Sequence, residues 1–206
     1  MDMYKFMRPK EMFKVIDITP LDFVHNNKYQ KDREARIVSV FGMGWELIEK
    51  KQCLVRLVEN QEPVEAQIKI DDKEYGIQVT MCVDSERYIQ NKNARKPFHV
   101  ESQSASVLSL YSSIVELIKK KLKKYGTGSR INLLLYVNRN HQGINPLELS
   151  TEISKVENLN FESVWAIFDD YKPIDKSSVM MGFAVARLHP EQCKGFFTFS
   201  KDGNVW

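Results

Sequence analysis

The sequence predicts an α/β fold in which a central mixed β-sheet is flanked by α-helices. Three observations carry that expectation. Residues 64 to 82 alternate apolar and polar side chains with a two-residue period, interrupted at Asp71, Asp72 and Lys73, which is the pattern of a β-hairpin. Residues 105 to 125 place Val107, Tyr111, Ile114, Ile118, Leu122 and Tyr125 at helical spacing. Two short apolar runs, Ile131 to Val137 and Ser163 to Phe168, lie on either side of a segment opening at Pro146. A strand, helix, strand order of that kind implies a parallel pair.

Taken along the chain, Phe13 to Ile18 reads as a short first strand closed by Thr19 and Pro20, and the polar stretch from Val24 to Glu34 as loop. From Arg33 to about Asn60, the residues Ile37, Val40, Phe41, Trp45, Ile48, Leu54 and Leu57 recur mostly at steps of three, four and seven. That spacing predicts one helix, weakened in its middle by Gly42 and Gly44 and closed by Pro63. In the hairpin, Val64, Ala66, Ile68 and Ile70 alternate with Glu65, Gln67 and Lys69, and Tyr75, Ile77, Val79 and Met81 alternate with Gly76, Gln78, Thr80 and Cys82. Glu65, Gln67, Gln78 and Thr80 therefore share a polar face if the turn preserves the register. A polar, basic loop follows from Asp84 to about Ser104, and Gly126 and Gly128 stop the long helix. Two further strands are expected at Val179 to Leu188 and Phe196 to Ser200.

At 206 residues, a single domain spanning 1–206 is expected, large enough to bury a core without staples. Apolar residues at 43%, with only 9 Gly and 7 Pro, exclude collagen-like and low-complexity classes. Thirty Lys and Arg against 27 Asp and Glu leave +3, so any basic patch is local. Cys53, Cys82 and Cys193 are odd in number and lack paired spacing, which points to reduced thiols and a cytoplasmic location. Charges at Asp2, Lys5, Arg8, Lys10 and Glu11 interrupt any leader-like stretch, and no apolar run approaches the ~20 residues of a membrane span, so no membrane partner is expected. His25, His99, His141 and His189 are isolated, and His189 with Cys193 has no second pair to complete a zinc set. Neither a nucleophile elbow nor a phosphate-cradling glycine loop is present.

The order helix, hairpin, long helix, buried strand, helix, buried strand carries a resemblance. The second hairpin strand reads IQVT, Ile77 to Thr80, preceded by DDKEYG, and the long helix ends in KKKLKKY and leads into LLLY. This arrangement resembles the restriction-endonuclease-like fold of the PD-(D/E)XK nuclease superfamily over about residues 33–170, with 171–206 as C-terminal strands completing the sheet. The resemblance implies a metal-dependent phosphodiesterase or endonuclease, a hydrolase acting on or binding DNA with Mg²⁺ or Mn²⁺. Such chemistry needs carboxylates, because hard cations take oxygen ligands and polarise the phosphate while activating a water. By that resemblance Glu65, thirteen residues before Gln78, stands for the acid of the first strand, with Gln67, eleven before, as the other candidate. Gln78 occupies the position of the second-strand acid and Thr80 that of the lysine. Lys121 on the helix is the substitute lysine, and Glu46 or Glu49 the helix-borne acid. The implied catalytic set is Glu65, Gln78 and Lys121, and the implied metal set Glu46, Glu65 and Gln78. Gln78 departs from the family pattern: an amide can ligate through its oxygen but removes one negative charge from the site.

Simpler accounts stand beside these. Glu65, Gln67 and Gln78 also suit the solvent face of an antiparallel hairpin. Lys119, Lys120, Lys121, Lys123 and Lys124 suit the macrodipole at a helix C-terminus, and equally a phosphate backbone. Arg87, Lys92, Arg95 and Lys96, interleaved with Tyr88 and Phe98, suit a loop that grips a strand. With Lys120 and Lys124 they form the candidate nucleic-acid contacts, DNA ahead of RNA. Homodimers are common among relatives of the fold, but no self-complementary surface is legible in this sequence. The alternative function is a non-catalytic nucleic-acid-binding or protein-interaction module on the same scaffold.

Overall fold

The computed structural model describes residues 2–16, 27–59, 64–82, 107–125, 131–140, 143–173, 179–190 and 197–200. Seven strands form one mixed sheet whose spatial order is the chain order. They are β1 (Cys53–Leu57), β2 (Ala66–Ile70), β3 (Lys73–Cys82), β4 (Ile131–Asn140), β5 (Ser163–Pro173), β6 (Val179–His189) and β7 (Phe197–Ser200). β1, β2 and β3 are an antiparallel meander, β3, β4 and β5 are parallel, and β5, β6 and β7 are antiparallel again. Among the described residues four α-helices accompany the sheet: α1 (Pro9–Lys14), α2 (Gln30–Glu49), α3 (Val107–Tyr125) and α4 (Pro146–Ser154). The expected α/β class, with a mixed sheet between helices, is the observed one.

Two cores sit on the two faces. One packs α2 against Val55, Ile68, Ile77, Leu134, Trp165 and Val185, and the other packs α3 and α4 against Leu133, Leu135, Ala166, Ala184 and Leu188. Residues 131–137 are buried throughout, because β4 has a strand on either side and helices on both faces. This explains why β4 reads as a continuous apolar run. The parallel connections β3 to β4 and β4 to β5 require crossovers, and α3 and α4 provide them on the same face. At the start of α4 the Asn145 carboxamide oxygen accepts from the backbone N–H of Leu147 at 3.0 Å, and Pro146 has no N–H to satisfy.

Three elements differ from the sequence expectation. The stretch from Val24 to Glu34, expected as loop, is helical from Asn27 onward, with a 3-10 turn at Asn27–Tyr29 leading into α2 at Gln30. Phe13 belongs to a helix, α1, and not to a strand. The helix expected from Arg33 to about Asn60 ends at Glu49, where Lys50 adopts the left-handed conformation at φ 55°. Leu54 and Leu57 then lie in and at the end of a strand, β1, whose alternating burial at Cys53, Val55 and Leu57 follows the two-residue period. The spacing of leucines fitted both periods, and the left-handed residue decided between them.

Gly42 and Gly44 leave α2 unbroken and set its approach to its neighbours. A Cβ at Gly42 would stand 2.6 Å from Pro9 Cγ of α1, and one at Gly44 would stand 2.8 Å from Cγ1 of the fully buried Val185 on β6. Alanine at 44 would gain about 1 kcal/mol of helix propensity, yet overpacking a rigid β-branched neighbour costs about 1–3 kcal/mol. Gly44→Ala is expected to lower the urea midpoint of unfolding, and a raised midpoint would show that α2 can move off the sheet.

Candidate active site

Strand β3 outruns its antiparallel partner. Its pairing with β2 reaches Ala66↔Ile77, whereas its parallel pairing with β4 continues to Cys82↔Val137. Beyond Ile77 no strand among the described residues lies along the β2-side edge of β3, and its backbone groups need other partners. Glu65, just before β2, supplies them. Its N–H donates to Ile77 O at 2.9 Å, and its carboxylate Oε2 accepts from the Val79 N–H at 2.7 Å. Pleat alternation places Glu65 opposite Gln78, both on the α3 side, since Ala66 and Ile77 face α2.

Gln78 and Thr80 are not solvent-facing. They are 1% and 6% exposed, on the face of β3 that the α3 layer covers. The Gln78 amide Nε2 donates to Val79 O at 3.1 Å. Its Oε1, and Thr80 Oγ1, are buried and have no hydrogen-bond partner among the described residues. Gln67 takes no part, since it accepts from Arg56 Nε at 2.7 Å on the meander.

The acid of α2 within electrostatic range of Glu65 is Glu34, whereas Glu46 and Glu49 pair elsewhere. Glu34, in the first turns of α2, is 6% exposed and accepts from Gln30 Nε2 and Lys31 Nζ, each at 2.9 Å. Glu46 lies twelve residues along the same helix, about 18 Å away. There its carboxylate accepts from the Cys53 N–H at 2.9 Å and pairs with Arg8 Nη2 at 2.9 Å. Glu49 pairs with Arg187. A signal for Glu34 existed in the sequence: Glu34, Val38 and Phe41 fall at steps of four and three on the buried face of α2, so an acid interrupts an apolar stripe. Such an acid requires a partner, and Lys31 is one turn away.

The charges converge on Glu65. Burial pushes its pKa up; the Val79 N–H then pulls it down, Glu34 pushes it up again, and Lys121 and Lys31 pull it down, with the net direction upward. Lys31 is held above its ordinary range: burial opposes the charge, but its bond to Glu34 and the charges of Glu34, Tyr4 and Glu65 outweigh that. Lys121 is the half-buried member of the α3 lysine stripe, whereas Lys119, Lys120, Lys123 and Lys124 are exposed. Lys121 and Lys124 also lie 5.5 and 5.1 Å from the centre of the Tyr125 ring. Arg87, Lys92, Arg95 and Lys96 lie outside the described residues.

No group of three or more His, Cys, Asp or Glu side chains is close enough to hold a metal ion among the described residues. The oxygen donors near this edge of β3 are the Glu65 carboxylate, the Gln78 Oε1 that has no partner among the described residues, and, within electrostatic range of Glu65, the Glu34 carboxylate. These are hard oxygen donors, and they fit Mg²⁺ or Mn²⁺ in kind, with less negative charge than three acids would bring. Cys53 and Cys82 are buried free thiols, and burial pushes the Cys53 pKa strongly up, so neither has the character of a nucleophile. Among the described residues no helix is long and apolar enough to cross a membrane. No family model, curated protein or solved structure matches this chain.

The raised pKa of Glu65 has a sign in stability. Folded protein binds the Glu65 proton more tightly than unfolded chain, so its contribution to stability falls as pH rises from the ordinary glutamate value of about 4.3 through the raised folded value. Glu65→Gln keeps an oxygen for the Val79 N–H and removes the charge. Thermal melts are expected to find this variant more stable than wild type near pH ~7, with the difference closing as pH falls towards ~4. A gap that widens on acidification would reverse the assignment.

Proposed function

We propose that the chain is a restriction-endonuclease-like, nuclease-related protein that acts on or binds DNA. Its site is centred on Glu65 and Gln78, with Glu34 as the helix-borne acid and Lys121 as the phosphate or water partner. The observation that carries this is the placement of the Glu65 carboxylate and the Gln78 amide on neighbouring β-segments, on one face, within electrostatic reach of Lys121. The unpartnered Gln78 Oε1 supports it, because an acceptor buried without a donor costs about 1–3 kcal/mol and is suited to a ligand. Glu34, Glu65 and Gln78 would hold Mg²⁺ or Mn²⁺, which when bound polarises a phosphodiester and lowers the pKa of a bound water. Glu65 is fixed for this by the Val79 N–H, and Lys121 sets positive charge where a phosphate oxygen would approach.

A second reading is favoured by particular residues. Gln78 is neutral, and Lys31 already places an ammonium beside Glu34 within electrostatic range of Glu65. The site is thereby balanced without a metal, which suits a non-catalytic module that binds nucleic acid or a protein on the same scaffold.

Incubation with single- and double-stranded DNA and RNA, with Mg²⁺ or Mn²⁺, separates the two. Metal-dependent cleavage that Glu65→Ala and Glu34→Ala each reduce by about 100-fold or more, with an unchanged circular dichroism spectrum, is the expected outcome for the enzyme. Salt-sensitive binding without cleavage is the outcome for the silent module, and neither binding nor cleavage removes both nucleic-acid readings. Lys31→Gln should tighten Mn²⁺ binding by about tenfold in calorimetry, roughly the effect of removing one like charge at partial burial. Unchanged or weaker binding would place the cation elsewhere.

A further inference from the structure

The helix that carries Lys121 presents three of its other lysines to a groove of about 560 Å³ at its C-terminal end. Lys119, Lys120 and Lys123 of α3 line one side, Lys155 after α4 comes from the other, and Glu116 and Glu157 are the acids present. Four ammonium groups stand against these two carboxylates and that of Glu152, which pairs with Lys155, so the groove keeps a net positive charge. Lys119 is tied to Glu116 at 2.9 Å and Lys155 to Glu152 at 2.6 Å, whereas Lys120 and Lys123 form no ion pair among the described residues. These two stand three residues apart on an exposed face, about 4.5 Å along the helix axis. That rise is comparable with the ~3.4 Å of duplex axis per charge on one DNA strand. Leu122 and Val156 add apolar surface to the lining, which suits the sugars between phosphates.

We propose that this groove holds the phosphodiester backbone of the nucleic acid whose reactive or recognised position lies at Glu65. The proposal rests on the nucleic-acid reading given above and names a contact distinct from the carboxylate site. Lys120 and Lys121 are consecutive, so they stand about 100° apart around α3, Lys120 lining the groove and Lys121 half-buried within electrostatic range of Glu65. A strand leaving the site would pass around the lysine-rich end of α3. The negative ends of two helix dipoles also meet here and are offset by the same lysines. A role confined to the helix ends would affect stability and leave binding unchanged.

Fluorescence anisotropy with a labelled 20-mer, as duplex and as single strand, measures this on the full chain without divalent cation over a range of salt. For Lys120→Gln with Lys123→Gln, the slope of log Kobs against log salt is expected to become shallower by about 1.8 for duplex, or about 1.4 for a single strand. Glu157→Gln removes a repelling carboxylate and should bind more tightly than wild type, a direction that misfolding cannot produce. Wild-type binding with slopes unchanged in the lysine variant, or no gain from Glu157→Gln, overturns the groove and leaves the nucleic-acid reading standing. Absence of wild-type binding at low salt overturns that reading and the groove with it.

Discussion

Strand β3 pairs antiparallel with β2 and parallel with β4, and the two pairings do not end together. Between Ile77 and Cys82, β4 alone among the described strands remains beside it. Backbone donors inside a protein are satisfied or costly, so this offset requires something other than a strand at Val79. The Glu65 carboxylate meets the requirement, and because it does so it is pinned at the open edge where both helix layers can reach it. The same offset buries Gln78 and Thr80, since the parallel half of the sheet is roofed by α3 and α4 while the meander is not.

From that position the electrostatics follow. A carboxylate taken partly out of water would favour its neutral form, and one cation from each layer opposes this, Lys31 from α2 and Lys121 from α3. Glu34 can add its own charge only because α2 lies close on the sheet. Gly42 and Gly44 allow that approach by leaving room for Pro9 and Val185. Trp165, Phe41 and Trp45 then lock the helix in place, with the Phe41 and Trp165 rings edge to face at 5.1 Å. Packing on one face of the sheet thus determines which acid arrives at its edge.

How much of this was legible depended on whether a residue's role was set locally. The alternation in 64–82 located both hairpin strands and the shared face of Glu65 and Gln78, because a strand's period reports its own pleat. The apolar runs at 131–137 and 163–168 located the covered parallel pair for the same reason. The end of α2 was not legible, since Leu54 and Leu57 satisfy both the helical period and the strand that follows Lys50. The resemblance points to Glu46 or Glu49 as the helix-borne acid, but proximity to β3 depends on how α2 is translated along the sheet. Only tertiary packing shows that its N-terminal turns, and therefore Glu34, lie at Glu65. Burial of Gln78 and Thr80 was likewise illegible, because alternation identifies a face and says nothing of what covers it.

Gln78 has a physical consequence that an acid there would not have. A third carboxylate, 1% exposed and beside Glu65, would be an unpaired buried charge, and folding would then depend on a cation to neutralise it. The amide removes that dependence: its Nε2 is satisfied by Val79 O, and the cost is confined to one orphan oxygen. Glu34 and Glu65 are meanwhile balanced by lysines that belong to the chain. A divalent ion entering such a site must work against Lys31 and Lys121, which weakens its hold, whereas a phosphate meets the same lysines as attraction. An amide at this position in place of an acid therefore makes the surroundings of Glu65 less attractive to a cation and more so to an anion, while the β3 edge is unaltered.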